Sequence, residues 1–140
     1  MFLNSTNPPV PATSVFDPTN VSPSAGQQLF QSMGCASCHT AKLPGPGARG
    51  PIYPFSDLLL HNMGPALADR MPQGSAQGHE WRTMPLWRVS ERGRFLHDGR
   101  ASTLPDAIAA HGGQAQHARD LFVGLTDPDK QALLAFLSGI

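Results

Sequence analysis

The chain's only cysteines, Cys35 and Cys38, stand three positions apart, and His39 follows at once. Cys35-Ala36-Ser37-Cys38-His39 is the C-x-x-C-H pattern of c-type haem attachment. The spacing has a physical reason. Two thiols at this separation can each form a thioether to one of a haem's two vinyl groups, and the adjacent imidazole then lies under the iron as its proximal ligand. Other chemistry for these residues lacks support. A redox C-x-x-C of thioredoxin type needs a βαβ context, and no strand pattern stands out. A zinc site needs two further ligands at matching spacing.

A covalent cofactor would also staple a chain that has little else to build on. It has 140 residues, of which 14 are Gly and 14 are Pro. A core is therefore small and the chain rich in loops. Charged residues make up only 14%, and ten basic side chains balance ten acidic ones. Zero net charge argues against a nucleic-acid surface and against an anionic membrane surface, since both need a basic patch. Ordinary apolar content (40%) with no net charge argues against intrinsic disorder. No apolar run approaches the ~20 residues of a transmembrane helix.

Covalent haem attachment normally takes place outside the cytoplasm, so a periplasmic or extracellular location is expected. Residues 1–10 have neither the basic start nor the apolar stretch of a signal peptide. The export signal is expected to have been removed, or the sequence to begin after it.

Residues 1–23, rich in Pro, Ser, Thr and Asn, read as an extended tail or linker. Residues 24–140 read as one mono-haem cytochrome c domain. Ser24 can cap a helix over residues 25–33, with Leu29, Phe30 and Met33 on one face and Gly34 ending it. Ser56 is expected to cap a short helix through Leu60. Residues 62–80 look irregular and 81–100 mostly loop. Thr103 and Pro105 start a helix over 104–111, closed by Gly112-Gly113. A helix follows near 115–123, and Thr126-Asp127-Pro128 opens the last. The expected fold class is all-α: a cytochrome c-like, loop-rich helical domain around one covalently attached haem c.

Three separated segments carry a family resemblance. Phe55-Ser56-Asp57-Leu58-Leu59-Leu60-His61-Asn62-Met63-Gly64 resembles the stretch after the second haem motif of the di-haem cytochrome c peroxidase superfamily. Trp81-Arg82-Thr83-Met84-Pro85-Leu86-Trp87 resembles that superfamily's Thr-Pro-x-Leu-Arg-Asn region. Phe95-Leu96-His97-Asp98-Gly99-Arg100, with Thr103-Leu104 and Ala107-Ile108 after it, resembles its His-Asp-Gly segment and following helix. The match is to the branch described as di-haem oxidoreductase, putative peroxidase, or thiol oxidoreductase-like, and covers about residues 24–140. It implies a class I cytochrome c fold. The departure is that the superfamily carries two haem domains, whereas this chain has one C-x-x-C-H and matches only the C-terminal, electron-receiving domain. The peroxide-reactive haem lies in the other domain, so the resemblance does not by itself carry peroxidase chemistry over.

The sixth iron ligand decides between electron transfer and catalysis: a filled position favours shuttling, an open one favours binding a small molecule. In the related peroxidases the distal ligand of the C-terminal haem is a Met on the helix after His-Asp-Gly. His111 holds that place here, so the resemblance implies bis-histidine ligation by His39 and His111. Met63 and Met84 are the alternatives. Met71 and Met33 read as apolar filler, His61 and His97 as side chains bonding loops or a propionate, and His79 and His117 as surface residues. Arg82 and Arg100 are candidates for the haem propionates or solvated surface charges. Trp87 is a candidate for packing on the macrocycle, with an ordinary core role as the alternative for it and for Trp81.

Three functions compete. The first is electron transfer through one six-coordinate haem, to or from a redox protein partner or haem domain. The second is a peroxidase-like oxidoreductase or a subunit of one, with His97 or Glu80 as the nominal acid–base group. The third is a haem-aligning structural subunit whose tail, through Val10, Val15, Phe16 and Val21, packs on a neighbour in a homo-oligomer or larger assembly.

Overall fold

The structure, a computed structural model, describes residues 23–45 and 50–140. In chain order the elements are helix α1 (Ala25–Ser32), strands β1 (Leu60–Asn62) and β2 (Glu80–Arg82), and helices α2 (Leu104–Ala109), α3 (Gln116–Val123) and α4 (Asp127–Ser138). Single 3-10 turns at Cys35–Ser37, Pro65–Leu67, Val89–Glu91 and Gly113–Ala115 punctuate the connections.

Three helices start as their sequences dictate. Ser24 Oγ accepts the Gln27 N–H at 3.2 Å, Thr103 Oγ1 that of Asp106 at 3.2 Å, and Thr126 Oγ1 that of Asp129 at 3.4 Å. Pro105 and Pro128 fall in first turns, where no intrahelical N–H bond is lost.

The core forms where α1 crosses α4. Gly26 makes that crossing close: a Cβ there would overlap the Ala132 carbonyl oxygen and lie 2.8 Å from Phe136 Cβ. Phe30 and Met33 from the first helical segment meet Leu133, Phe136 and Leu137 of α4, and Phe55, Val89, Phe122 and Ile140 complete the cluster. Its rings are tilted or edge-to-face: Phe30–Phe136 centroids lie 5.3 Å apart, Phe55–Phe136 6.0 Å and Phe30–Phe55 6.2 Å.

The expectation of an all-α fold is corrected. Strands β1 and β2 pair antiparallel, with Leu60 opposite Arg82, His61 opposite Trp81 and Asn62 opposite Glu80. The fold is mixed, four helices with a two-stranded sheet among the described residues. Strands of three residues are too short to show the period-2 alternation that marks a strand in sequence.

The short helix expected from Ser56 to Leu60 is likewise absent. Phe55 and Leu58 have φ of 51° and 61°, a left-handed conformation that a right-handed helix cannot contain. Ser56, expected as a cap, instead ties this segment to the end of β2. Its hydroxyl donates to Thr83 O at 2.8 Å and accepts the Leu58 N–H at 2.9 Å. The expected tail lies, but for Pro23, outside the described residues. No helix among the described residues is long and apolar enough to cross a membrane.

Candidate functional site

Helix α1 delivers the cysteine motif. Gly34, in a left-handed conformation (φ 87°), turns the chain out of the helix, and the Cys35–Ser37 turn closes with the His39 N–H on Cys35 O at 3.0 Å. Both thiols are half-buried and free of any disulfide. Burial pushes the Cys35 thiol up to about 11, with a smaller push from Cys38. Burial and the nearby Asp57 carboxylate raise Cys38 too. Both therefore stay as thiols at neutral pH.

His39 is held by the turn at residues 55–57. Its Nδ1 lies 2.9 Å from Phe55 O. A carbonyl only accepts, so Nδ1 carries the hydrogen and Nε2 keeps its lone pair. The left-handed Phe55 aims this carbonyl. Two main-chain bonds brace the turn, Ser56 N–H to Thr40 O at 2.9 Å and Asp57 N–H to Cys38 O at 2.8 Å. Burial drives the His39 imidazole down to about 4; the Phe55 bond opposes that and charge on His111 adds to it.

His111 repeats the arrangement. It sits just past Ala110, the C-cap of α2, with its N–H on Ile108 O at 3.1 Å. Its Nδ1 lies 2.7 Å from Ala107 O, which fixes the same tautomer, and burial lowers its pKa. The fold thus brings together two neutral, half-buried imidazoles, each anchored through Nδ1 with Nε2 left over, and close enough to feel one another's charge.

The other candidates are placed as follows. Met63 is half-buried, while Met84 is 53% exposed. Met33 is core, but Met71, expected as filler, is 65% exposed. Arg82 is exposed on β2. Arg100 is tied to its own loop, Nε to Asp98 Oδ2 at 2.6 Å and Nη1 to Ala66 O at 2.8 Å. Trp87 is half-buried and donates to Tyr53 O at 2.7 Å. Trp81 donates to Leu67 O at 2.9 Å and stacks on His97 with centroids 3.6 Å apart.

One candidate residue was not singled out in the sequence. Asp57 pairs with His61 Nε2 at 2.8 Å, and ligand atoms of Cys38, Asp57 and His61 lie within 4.8 Å of one another. Burial pushes the Asp57 carboxyl up, but bonds from the Leu59 N–H, His61 and Thr83 outweigh it and leave its pKa lowered. The four-residue spacing of Asp57 and His61 was the available signal.

Two free thiols three positions apart and two imidazoles with Nε2 lone pairs are donor types that suit a haem. A separate groove of about 160 Å³ on the hairpin, lined by Leu60, Met71, Trp81 and Arg82 among others, involves neither histidine. It is smaller than the ~300 Å³ at which ligand pockets begin.

A family model described as di-haem oxidoreductase, putative peroxidase, matches residues 2–140. No curated protein and no solved structure matches the chain.

Proposed function

The chain belongs to the di-haem oxidoreductase, putative peroxidase family, and within that redox family we propose, from its paired histidines, an electron-transfer function. Membership brings a haem cofactor and redox chemistry. Our finer reading is a c-type cytochrome with one haem, joined through Cys35 and Cys38 and ligated by His39 and His111. Bound there, the haem would supply a reversible one-electron couple at the iron.

The observation that carries this reading is the matched pair of imidazoles. A backbone carbonyl on each Nδ1–H fixes the ring and raises the basicity of Nε2. Burial keeps both rings neutral and ready to ligate. With both axial positions filled, no small molecule reaches the iron. Arg82 and Trp87 remain candidates for propionate and macrocycle contacts.

The partner is read as a redox protein or haem domain, met outside the cytoplasm. Zero net charge gives little electrostatic steering. Leu58, Leu59 and Leu60, 44%, 61% and 51% exposed, offer apolar contact beside the motif instead. A peroxidase-like activity is the second reading, favoured by the family description alone. It would need His111 to leave the iron.

Electron paramagnetic resonance and near-infrared magnetic circular dichroism of the oxidised holoprotein test the choice. A low-spin iron with two nitrogen ligands, altered in His111→Ala, is expected. A sulfur-ligation band would move the ligand to Met63 or Met84. High-spin, five-coordinate iron reacting rapidly with peroxide would overturn the electron-carrier reading.

A further inference from the structure

We propose that Gly112, Gly113 and Gly64, with Gln114, form a backbone clamp that sets the ring orientation of His111 and keeps the sixth iron position closed. The proposal rests on the bis-histidine reading above.

The two main-chain segments touch as side chains would not allow. At Gly113 (φ 54°) a Cβ would overlap Asn62 O and lie 2.6 Å from Gly64 N. At Gly112 it would lie 2.9 Å from Met63 O, and at Gly64 (φ 81°) 2.9 Å from Gly113 N. All of these neighbours are backbone atoms, which cannot rotate out of the way. A polar latch accompanies the contact. Gln114 Oε1 accepts the Asn62 N–H at 2.7 Å, and Asn62 Oδ1 accepts the Gly64 N–H at 2.9 Å.

The segment gripped by the clamp is fixed in turn. Asn62 ends β1, which β2 pairs, and the Met63 N–H continues the ladder to His79 O at 2.9 Å. On its other side His111 is bound to α2 through Ala107 O and Ile108 O. The backbone of His111 is therefore joined to a helix end on one side and, through residues 112–113, to a braced hairpin on the other. Shifting that backbone, and with it the point from which the imidazole reaches out, requires sliding residues 112–113 past β1, against close-packed backbone. This makes Gly113 and Gln114 positioning residues: they touch neither the iron nor a substrate, and act through His111.

The test uses the purified holoprotein and two readouts besides activity. The relative orientation of two axial imidazoles sets the g-values of low-spin ferric haem, and departure of His111 sets the rate at which carbon monoxide reaches ferrous iron. Gly113→Ala should shift the g-values and raise the carbon monoxide rate about tenfold or more. Gln114→Ala, which removes only the latch, should move both in the same direction by less, and keeps the test open if Gly113→Ala fails to fold. Gly74→Ala is the control. Gly74 is also left-handed (φ 63°) but has nothing within 4 Å of its would-be Cβ, so its variant should lose stability with neither readout changed. Wild-type g-values and carbon monoxide rates in both clamp variants, in a protein with nitrogen–nitrogen ligation, would overturn the clamp alone. Sulfur ligation in the wild type, or a spectrum untouched by His111→Ala, would overturn the ligation and the clamp with it.

Discussion

Charge on His111 makes His39 harder to protonate, and the two rings are anchored alike, through Nδ1 to the carbonyls of Phe55 and Ala107. The first residue directly follows the attachment cysteines; the second comes from the far end of α2. The fold brings these two distant positions within electrostatic reach of one another.

Replacing one nitrogen ligand by a thioether should raise the reduction potential, because methionine favours ferrous iron. His111→Met should shift it upward by a fraction of the ~0.8 V range that axial ligands span. Potentiometric titration checks this. An unchanged potential together with an unchanged spectrum would place the distal ligand elsewhere.

The buried imidazoles predict a definite pH dependence. In the haem-free folded chain His39 is held down at about 4 and His111 is lowered, whereas in the unfolded haem-free chain both take their proton near 6.5. Between those values the unfolded state binds more protons, so stability falls as pH drops from 6.5 towards 4. For His39 alone the loss across that window is on the order of 3 kcal/mol. Denaturant midpoints at pH 8, 6.5 and 5 should be nearly equal for the first two and lower for the third.

The aromatic cluster at the crossing of α1 and α4 should be costly to open. Phe136 is 2% exposed and meets both Phe30 and Phe55. Phe136→Ala should lower unfolding free energy by about 3–5 kcal/mol. Because Phe55 also supplies the carbonyl to His39, the variant's low-spin signal should broaden.

Two side-chain pairs should behave differently. The side chains of Asp57 and His61 are 14% and 18% exposed, whereas those of Arg88 and Glu91 are 68% and 58% exposed. Asp57→Asn should cost about 1–3 kcal/mol. Glu91→Gln should change stability little, because water screens an exposed pair. Chemical denaturation of the two variants gives the comparison, and equal losses would contradict the buried role of Asp57.

The thioether assignment predicts masses. Cys35→Ser and Cys38→Ser should each retain haem through one bond under denaturing mass spectrometry, and the double variant should lose it. Retention in the double variant would show that neither thiol forms the link.

Much of this was readable beforehand, for identifiable reasons. The motif at Cys35–His39 is a local pattern with one dominant chemistry. Ser24, Thr103 and Thr126 declare helix starts because capping is a contact within four residues. The hairpin was not readable, since Leu60–Asn62 and Glu80–Arg82 are short and mostly polar. The apolar run Leu58–Leu60 suggested a helix, yet the left-handed Phe55 and Leu58 forbid one, and no residue type announces a left-handed Phe. His111 was placed by family resemblance; its anchoring to Ala107 O and the backbone contact at Gly113 depend on long-range geometry that no local pattern encodes.

The crossing at Gly26 also joins two distant parts of the sequence. Helix α1, which leads directly into the attachment cysteines, has its main packing partner in Asp127–Ser138, near the other end of the sequence. A chain made from its N-terminus presents Cys35 and Cys38 long before that partner exists. On the covalent-haem reading, whatever joins the cofactor to the thiols would meet them on an open polypeptide, and closure of α4 over α1 would be the step that shuts the finished centre in.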